Sequence, residues 1–389
     1  MFRIKTLNPI SPVYRDYLPD DEYEVAPSVP RPDAIIVRSA DMHNMDLEDS
    51  VLAVARAGAG YNNIPVAELA ERGVVVFNTP GANANAVKEM AVTAMLLGSR
   101  DVVGGIEWVK ELAGRGDEVP ALVEKGKKQF IGPELRGKTL GVIGLGEVGA
   151  LVANAGHALD MEVLGYDPFI SVEHAWMLSR AIARVKNQME IISKSDYISV
   201  HVPLLPETRG LFNEEMLLRM KPGAVLINLS RGELVVDEDV CAALSRGQLR
   251  VYVTDFPSDG LIGRKGVIAI PHLGASTPES EDNCIMMAGR QIDAYLRNGT
   301  IRNSVNYPNC ELPAVEGHRV AVLHRNVPNV VGNLTAVLSQ YGINIASMVN
   351  KSRDKLAYTV LDLDDVFERK KEIAAQMKAL DTVYGVRCW

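Results

Sequence analysis

The sequence predicts an α/β protein in three parts, and three observations carry that prediction. Short apolar, β-branched runs alternate with polar or helical segments from residue 2 to residue 97; a second such series runs from 139 to 272; and residues 318–389 spell strand–helix–strand–strand–helix–strand. A chain of 389 residues exceeds one ordinary core, and 47% apolar with 23% charged residues is a packed composition rather than a disordered one.

In the first part, "FRIKTL", "AIIVRSA", "VLAVARAGAG" and "GVVVFNTPG" read as strands of a small parallel sheet. "VKEMAVTAMLL" at 87–97 reads as a buried helix, and 104–138 as a helical, then charged, connecting surface. In the second, "TLGVIG" is a strand, 147–158 a helix, and "MEVLGYDP" and "DYISVHVP" are strands. "GAVLINLSRG", a helix over 237–246, "QLRVYVTD" and "VIAIPH" continue the series. Runs this apolar suit strands covered by helices on both faces. A helix over 279–297 follows. "YPNCELPAVEG" at 307–317 has two prolines, a glycine and no periodicity, which predicts a linker. Beyond it come "HRVAVLHR", a helix over 329–341, "INIASMVN", "KLAYTVLDL", a helix over 366–380 and "VYGVR", a ferredoxin-like βαββαβ module.

Composition excludes several classes. With 41 basic against 49 acidic residues and a net charge of −8, the chain lacks the basic surplus of a nucleic-acid binder. No apolar run is long enough for a membrane span, and "MFRIKTLNPISPVYRDYL" has no signal-like apolar core, so a cytoplasmic protein is expected. Cys241, Cys284, Cys310 and Cys388 show neither zinc spacing nor a C-x-x-C pair; they fit a reducing compartment, and no metal is expected.

"TLGVIGLGEVG" places Gly144, Gly146 and Gly149 as G-x-G-x-x-G between a strand and a helix. The first glycine permits the tight turn, the second lets backbone approach a pyrophosphate, and the third lets helix and strand pack closely. Asp167 ends the next strand about 18 residues after Gly149, near the roughly 20 expected of the acid that accepts from the ribose hydroxyls. A carboxylate there repels a 2′-phosphate, so NAD is favoured over NADP.

Arg231 follows "INLS" at a strand end, Asp255 and Asp259 lie in "TDFPSDG", and His272 ends "VIAIPH". An arginine fork can hold a carboxylate through two bonds, and a histidine held by an acid can exchange a hydroxyl proton. With "RAGAGYNNIP", "FNTPGANANAVKEM", "GKTLGVIGLGEVG", "DYISVHVPLLPETRG", "MKPGAVLINLSRGEL" and "IPHLGAST", this order resembles the D-2-hydroxyacid dehydrogenase family from about residue 2 to the C-terminus.

The resemblance implies a Rossmann-type doubly wound NAD domain at 94–278, inserted in a flavodoxin-like substrate domain built from 1–93 and 279–306, with the reaction in the cleft between them. It implies NAD-dependent oxidation of D-3-phosphoglycerate to 3-phosphohydroxypyruvate, the first step of L-serine biosynthesis. A glyoxylate/hydroxypyruvate reductase and a non-enzymatic NAD-sensing corepressor stay open as alternatives. By the resemblance, Arg231 binds the substrate carboxylate and carbonyl, and His272 is the proton-exchanging base. The acid partner departs from the pattern: Gly260 stands where the family carries Glu, and a one-residue deletion puts Asp259 in that role. The implied cofactor contacts are the three glycines with Glu147 and Val148, then Asp167, then His201, Val202 and Pro203. Leu229, Ser230, Asp255 and Gly274 complete them. On the substrate side the resemblance implies Arg38, Ser39, Arg56 and Asn83. Gly58, Ala59 and Gly60 are expected to form a small nest of backbone N–H groups for the carboxylate.

Residues 318–389 resemble an ACT regulatory domain. That implies an L-serine effector at His324, Asn326 and Asn344 and a homodimer or homotetramer, with Asn326 and Asn344 expected together at one edge of the sheet. Asn329 departs from the family's glycine at the loop-to-helix turn.

Overall fold

The structure, a computed structural model, describes residues 1–313, 317–364 and 369–389. It divides into two compact units, Met1–Asn83 with Glu281–Trp389, and Ala84–Ser280.

The first unit opens with five parallel strands: β1 (Phe2–Thr6), β2 (Tyr23–Ala26), β3 (Ala34–Val37), β4 (Ala53–Arg56) and β5 (Val75–Phe77). Their order β2-β1-β3-β4-β5 is the flavodoxin-like one. Alternate residues feed two cores. Ile36, Ala55 and Phe77 face Ile285, Ile292 and Tyr295 of the Pro278–Asn298 helix, and Val37, Val54 and Val76 face Leu69 and Ile64. Burial on both faces explains why these strands read as continuous apolar runs.

The second unit holds β6 (Thr139–Ile143), β7 (Glu162–Tyr166), β8 (Ala183–Arg184), β9 (Tyr197–Val200), β10 (Ala224–Asn228), β11 (Leu249–Thr254) and β12 (Val267–Ala269). All are parallel, in the order β12-β11-β10-β9-β6-β7-β8, the doubly wound Rossmann order with a seventh strand added. The Ala84–Ser99 helix belongs here, because its Val87, Ala91, Ala94 and Met95 pack on Val142, Val225 and Ile227. The boundary therefore falls at Asn83 rather than at residue 93.

The C-terminal segment supplies β13 (His318–Arg325), β14 (Ile345–Arg353), β15 (Leu356–Leu363) and β16 (Val383–Cys388), antiparallel in the order β14-β15-β13-β16. Val320, Val322 and Leu361 meet Leu334, Leu338 and Ile373 of the Val330–Gln340 and Lys370–Lys378 helices. The start of the predicted 366–380 helix lies outside the described residues.

The opposite face of this sheet corrects the expectation of a separate domain on a linker. Ala321, Leu323, Tyr358 and Val360 enter the same core as Tyr295, Leu296 and Tyr307. Tyr307 and Cys310 are fully buried; the Tyr307 hydroxyl donates to Ala70 O at 2.6 Å, and Ile301 bridges to Cys310. Pro308 and Pro313 mark an irregular stretch over 307–313, and its aromatic and thiol side chains are core residues; the rest of the predicted 307–317 linker includes residues outside the described ones.

Candidate active site

The turn after β6 needs glycine for reasons visible in its contacts. Gly144 has φ +88°, and a Cβ there would lie 2.5 Å from the His201 carbonyl oxygen. A Cβ on Gly149 would lie 1.8 Å from Gly144 O, which is the close helix–strand approach the motif predicts. Gly146 caps the Glu147–Ala158 helix with no side-chain bond, and a Cβ on it would meet nothing within 4 Å. The space beside Gly146 is therefore open, as the close approach of a phosphate to this helix start requires.

Asp167 sits directly beneath this turn: Oδ2 accepts from Leu145 N and Oδ1 from Phe169 N, both at 2.8 Å. Two of the carboxylate's roughly four lone-pair sites are used, which leaves acceptor capacity for ribose hydroxyls. Glu147 turns to His174, 3.3 Å away. His201 follows β9, with Nε2 2.8 Å from Ser199 Oγ; burial lowers its pKa to about 4, so the ring is neutral. Val202 flanks the Gly144 turn, where its Cγ1 would meet a Cβ at 3.0 Å, and Pro203 O accepts from Thr208.

Three carboxyl strand ends bring the catalytic candidates to one edge of this sheet, where ligands of doubly wound folds bind. Arg231 follows β10 and is exposed. Its turn is built by Asn228, a fully buried residue that sequence reasoning missed. Asn228 Nδ2 donates to Arg231 O at 2.8 Å, and Ser230 N donates to Asn228 Oδ1 at 3.1 Å. The polar residue ending an otherwise apolar "AVLIN" was the available signal. Leu229 is buried, and Ser230 Oγ donates to Val200 O at 2.7 Å. His272 adopts the left-handed conformation, φ +47°, with its ring against Phe256 at 4.8 Å between centroids.

Asp255 holds that strained turn. Its backbone oxygen accepts from His272 N at 3.1 Å, and its Oδ2 accepts from Gly274 N at 3.0 Å. The carboxyl is 1% exposed. Burial raises its pKa, opposed by the Gly274 bond and the charges of His272 and Arg231. Its Oδ1 is buried with no hydrogen-bond partner among the described residues. Such an orphan acceptor fits an incoming amide donor, so the residues present suit a nicotinamide cofactor.

Asp259 is placed otherwise than expected. It is exposed, and among the described residues no hydrogen bond or ion pair joins it to His272. The segment around it is tied elsewhere: Ser258 Oγ donates to Asp237 Oδ2 at 2.5 Å, and Leu261 is buried. Asp255 is the carboxylate whose field reaches His272.

In the first unit, Arg38 and Arg56 stand at the carboxyl ends of β3 and β4. Arg38 pairs with Glu281 of the Pro278–Asn298 helix. Asn8, which sequence reasoning missed, accepts through Oδ1 from the N–H groups of Arg38 (2.9 Å), Ser39 (3.2 Å) and Ala40 (3.3 Å). The Arg56 guanidinium lies over Gly58, where a Cβ would come 1.2 Å from Nη1. The expected nest is reduced, because Gly58 N donates to Thr79 Oγ1 at 2.6 Å; on the acceptor side, Ala59 O takes a bond from Asn78 Nδ2 at 2.6 Å. Among the described residues no hydrogen bond uses Gly60 N, and Asn83 is half-buried at the end of this segment.

The effector candidates do not converge. His324 is 2% exposed and bonded at both ring nitrogens, to Arg325 O at 2.7 Å and Thr359 Oγ1 at 2.8 Å; burial lowers its pKa. Asn326 follows the end of β13, while Asn344 precedes β14 beside Asp364. Strand register puts Asn344 near the start of β13, so eight residues at roughly 3.3 Å each separate the two within one chain. The intervening helix carries the chain back down the sheet. Asn329 takes φ +69°, the left-handed turn that the family's glycine would supply.

Residues 92–274 match the family described as D-isomer specific 2-hydroxyacid dehydrogenase, NAD binding domain. The chain is 34% identical over 298 residues to D-3-phosphoglycerate dehydrogenase of Archaeoglobus fulgidus, covering 74% of this chain and 54% of that protein. To the Escherichia coli protein of that name it is 29% identical over 344 residues, covering 85% and 80%. It spans about half the length of the first of these relatives. A cofactor (NAD+)-bound 3-phosphoglycerate dehydrogenase from Entamoeba histolytica superposes with a TM-score of 0.59 at 28% identity, covering 78% of this chain and 98% of that one.

Proposed function

We propose that the chain is a D-2-hydroxyacid dehydrogenase that oxidises D-3-phosphoglycerate to 3-phosphohydroxypyruvate, a reading that starts from the family match over its NAD-binding residues. That reaction is the first step of L-serine biosynthesis. The observation that carries the reading is the meeting of Arg231, Asp255 and His272 at the carboxyl ends of neighbouring strands, with Asp255 buried in the field of both cations. NAD, held at the Gly144–Gly149 turn and Asp167, would supply the hydride acceptor for the substrate C2. Arg231 holds the carboxylate and steadies the forming carbonyl, and His272 takes the proton of the 2-hydroxyl. Asp255, rather than Asp259, fixes the His272 turn and balances the positive charge that His272 gains. The similarity to D-3-phosphoglycerate dehydrogenases supports the substrate, and Arg56 and Arg38 supply cations for a dianionic phosphate.

NADH formation with D-3-phosphoglycerate against D-glycerate tests the reading. A kcat/KM higher by about 100-fold or more for the phosphorylated acid is expected, since charged hydrogen bonds to phosphate contribute about 1.5–3 kcal/mol each. Comparable rates would make the chain a reductase of broader scope, and no turnover on any 2-hydroxy acid would leave a non-catalytic NAD sensor. For an amino-acid effector the separation of Asn326 and Asn344 supports only a site shared between two copies of the chain.

A further inference from the structure

We propose that the NAD-binding unit carries a second ligand site, for a small organic anion with an apolar body, at the edge of its sheet opposite the catalytic strand ends. A cavity of about 700 Å³ opens there at the amino ends of β11 and β12, within the range of small-molecule pockets. Its walls are apolar where the strands begin, at Val251, Val267 and Ile268, with Leu244 from the neighbouring helix. Around them stand Arg100, Arg250, Arg264 and Lys265 against one carboxylate, Asp101. Among the described residues none of these four cations is in an ion pair, although acidic residues outnumber basic ones in the whole chain. Asp101 is already engaged as the N-cap of the Val102–Lys110 helix, accepting from Gly104 N at 2.9 Å.

Arg250 is held as a binding group is held. Its Nη2 donates to the Tyr197 hydroxyl at 3.3 Å, Tyr197 lies 2.7 Å from Ser99 Oγ, and Ser99 Oγ donates to Met95 O at 2.8 Å. Tyr197 and Ser99 are buried, so the guanidinium hangs on a fixed chain of neutral groups that cannot neutralise it. Its Nε is buried with no hydrogen-bond partner among the described residues. A guanidinium stays charged at any working pH, and a buried donor without a partner costs free energy that an anion would recover. Phosphate monoesters and carboxylates share the required chemistry, an anionic head with an apolar portion for the strand side.

Calorimetry on the full chain in saturating NAD, which removes the cofactor site from competition, tests this with phenyl phosphate, octanoate and inorganic phosphate. Phenyl phosphate or octanoate should bind, more tightly than inorganic phosphate, because the strand side of the cavity takes the apolar portion. Arg250→Gln should weaken binding by about tenfold or more, the loss of a charged hydrogen bond. Arg264→Gln and Lys265→Gln alter exposed side chains only and should each weaken it by a few-fold, guarding against an effect of misfolding in the Arg250 variant. Absence of binding by all three anions, or equal affinity in all variants, would overturn the proposal. So would a change of oligomeric mass in the variants without any loss of anion affinity, which would mark the cavity as a contact between copies.

Discussion

At Asp255 one residue performs two tasks that sequence assigns to different positions. Its main chain and its carboxylate bracket the left-handed His272 turn, and the carboxylate lies near Arg231 and His272. Asp255→Asn should lower kcat by about 100-fold, because the turn that presents His272 would lose its carboxylate tie to Gly274 N. Asp259→Asn should leave kcat within about twofold; the reverse outcome for the two variants would restore Asp259. His272→Asn should cut kcat by at least about 100-fold while NADH still binds, as fluorescence titration would show. His201 makes a separate pH prediction. Its folded pKa lies near 4, below the roughly 6.5 of an unfolded histidine, so the unfolded chain binds its proton first. Stability from this residue is therefore complete above about pH 6.5 and falls as pH drops toward 4. Urea midpoints for the native chain and His201→Asn should converge in that window, and a constant difference between them would remove His201 as the cause.

The Pro278–Asn298 helix shows how an element is finished by residues far away in sequence. Its last carbonyls lack intrahelical partners, and the C-terminal segment supplies donors for them. Arg387 donates to Tyr295 O at 2.8 Å and Leu296 O at 2.9 Å, Trp389 Nε1 donates to Leu296 O at 3.0 Å, and Arg319 Nη1 to Asn298 O at 2.9 Å. Two cations at a helix C-terminus also oppose its dipole favourably. Arg387→Ala should lower stability by about 1.5–3 kcal/mol, since two charged hydrogen bonds and stacking on Trp389 are lost together. Chemical denaturation would measure it, and a change below about 0.5 kcal/mol would show that water caps the helix equally well.

For the whole molecule, the C-terminal sheet is half of a shared core rather than an appendage. Removing residues 318–389 would bare Tyr295, Leu296 and Tyr307 and take away the donors to Leu296 O and Asn298 O. Such a truncated chain should aggregate or melt well below the full protein instead of persisting as a soluble dehydrogenase. A truncated chain that keeps full activity and a cooperative melt would show that the apolar interface contributes little. Cofactor choice belongs to the other unit: Asp167→Ala should weaken NAD binding and narrow its preference over NADP, with an unchanged ratio reducing Asp167 to a tie for the glycine turn.

Local rules were enough for much of this. Gly144, Gly146, Gly149 and Asp167 are legible because a phosphate-binding turn imposes backbone demands within one strand–turn–helix segment, and the two parallel sheets follow from apolar runs buried on both faces. Residues whose part depends on distant partners were not legible. Asn8 and Asp255 act through bonds to loops of other strands, and Asp259 makes no hydrogen bond or ion pair with His272 among the described residues, its turn being tied by Ser258 to Asp237. The continuous apolar run of β13 announces two buried faces but not what covers the second, and the stretch from Tyr307 reads as the start of a linker until Tyr307 and Cys310 are seen in the core. Sequence pattern decides what each segment can form, since propensity and periodicity act over a few residues. Which acid meets the histidine, and which apolar face meets which, is decided only when the chain closes on itself, because those free energies come from contacts between residues far apart in sequence.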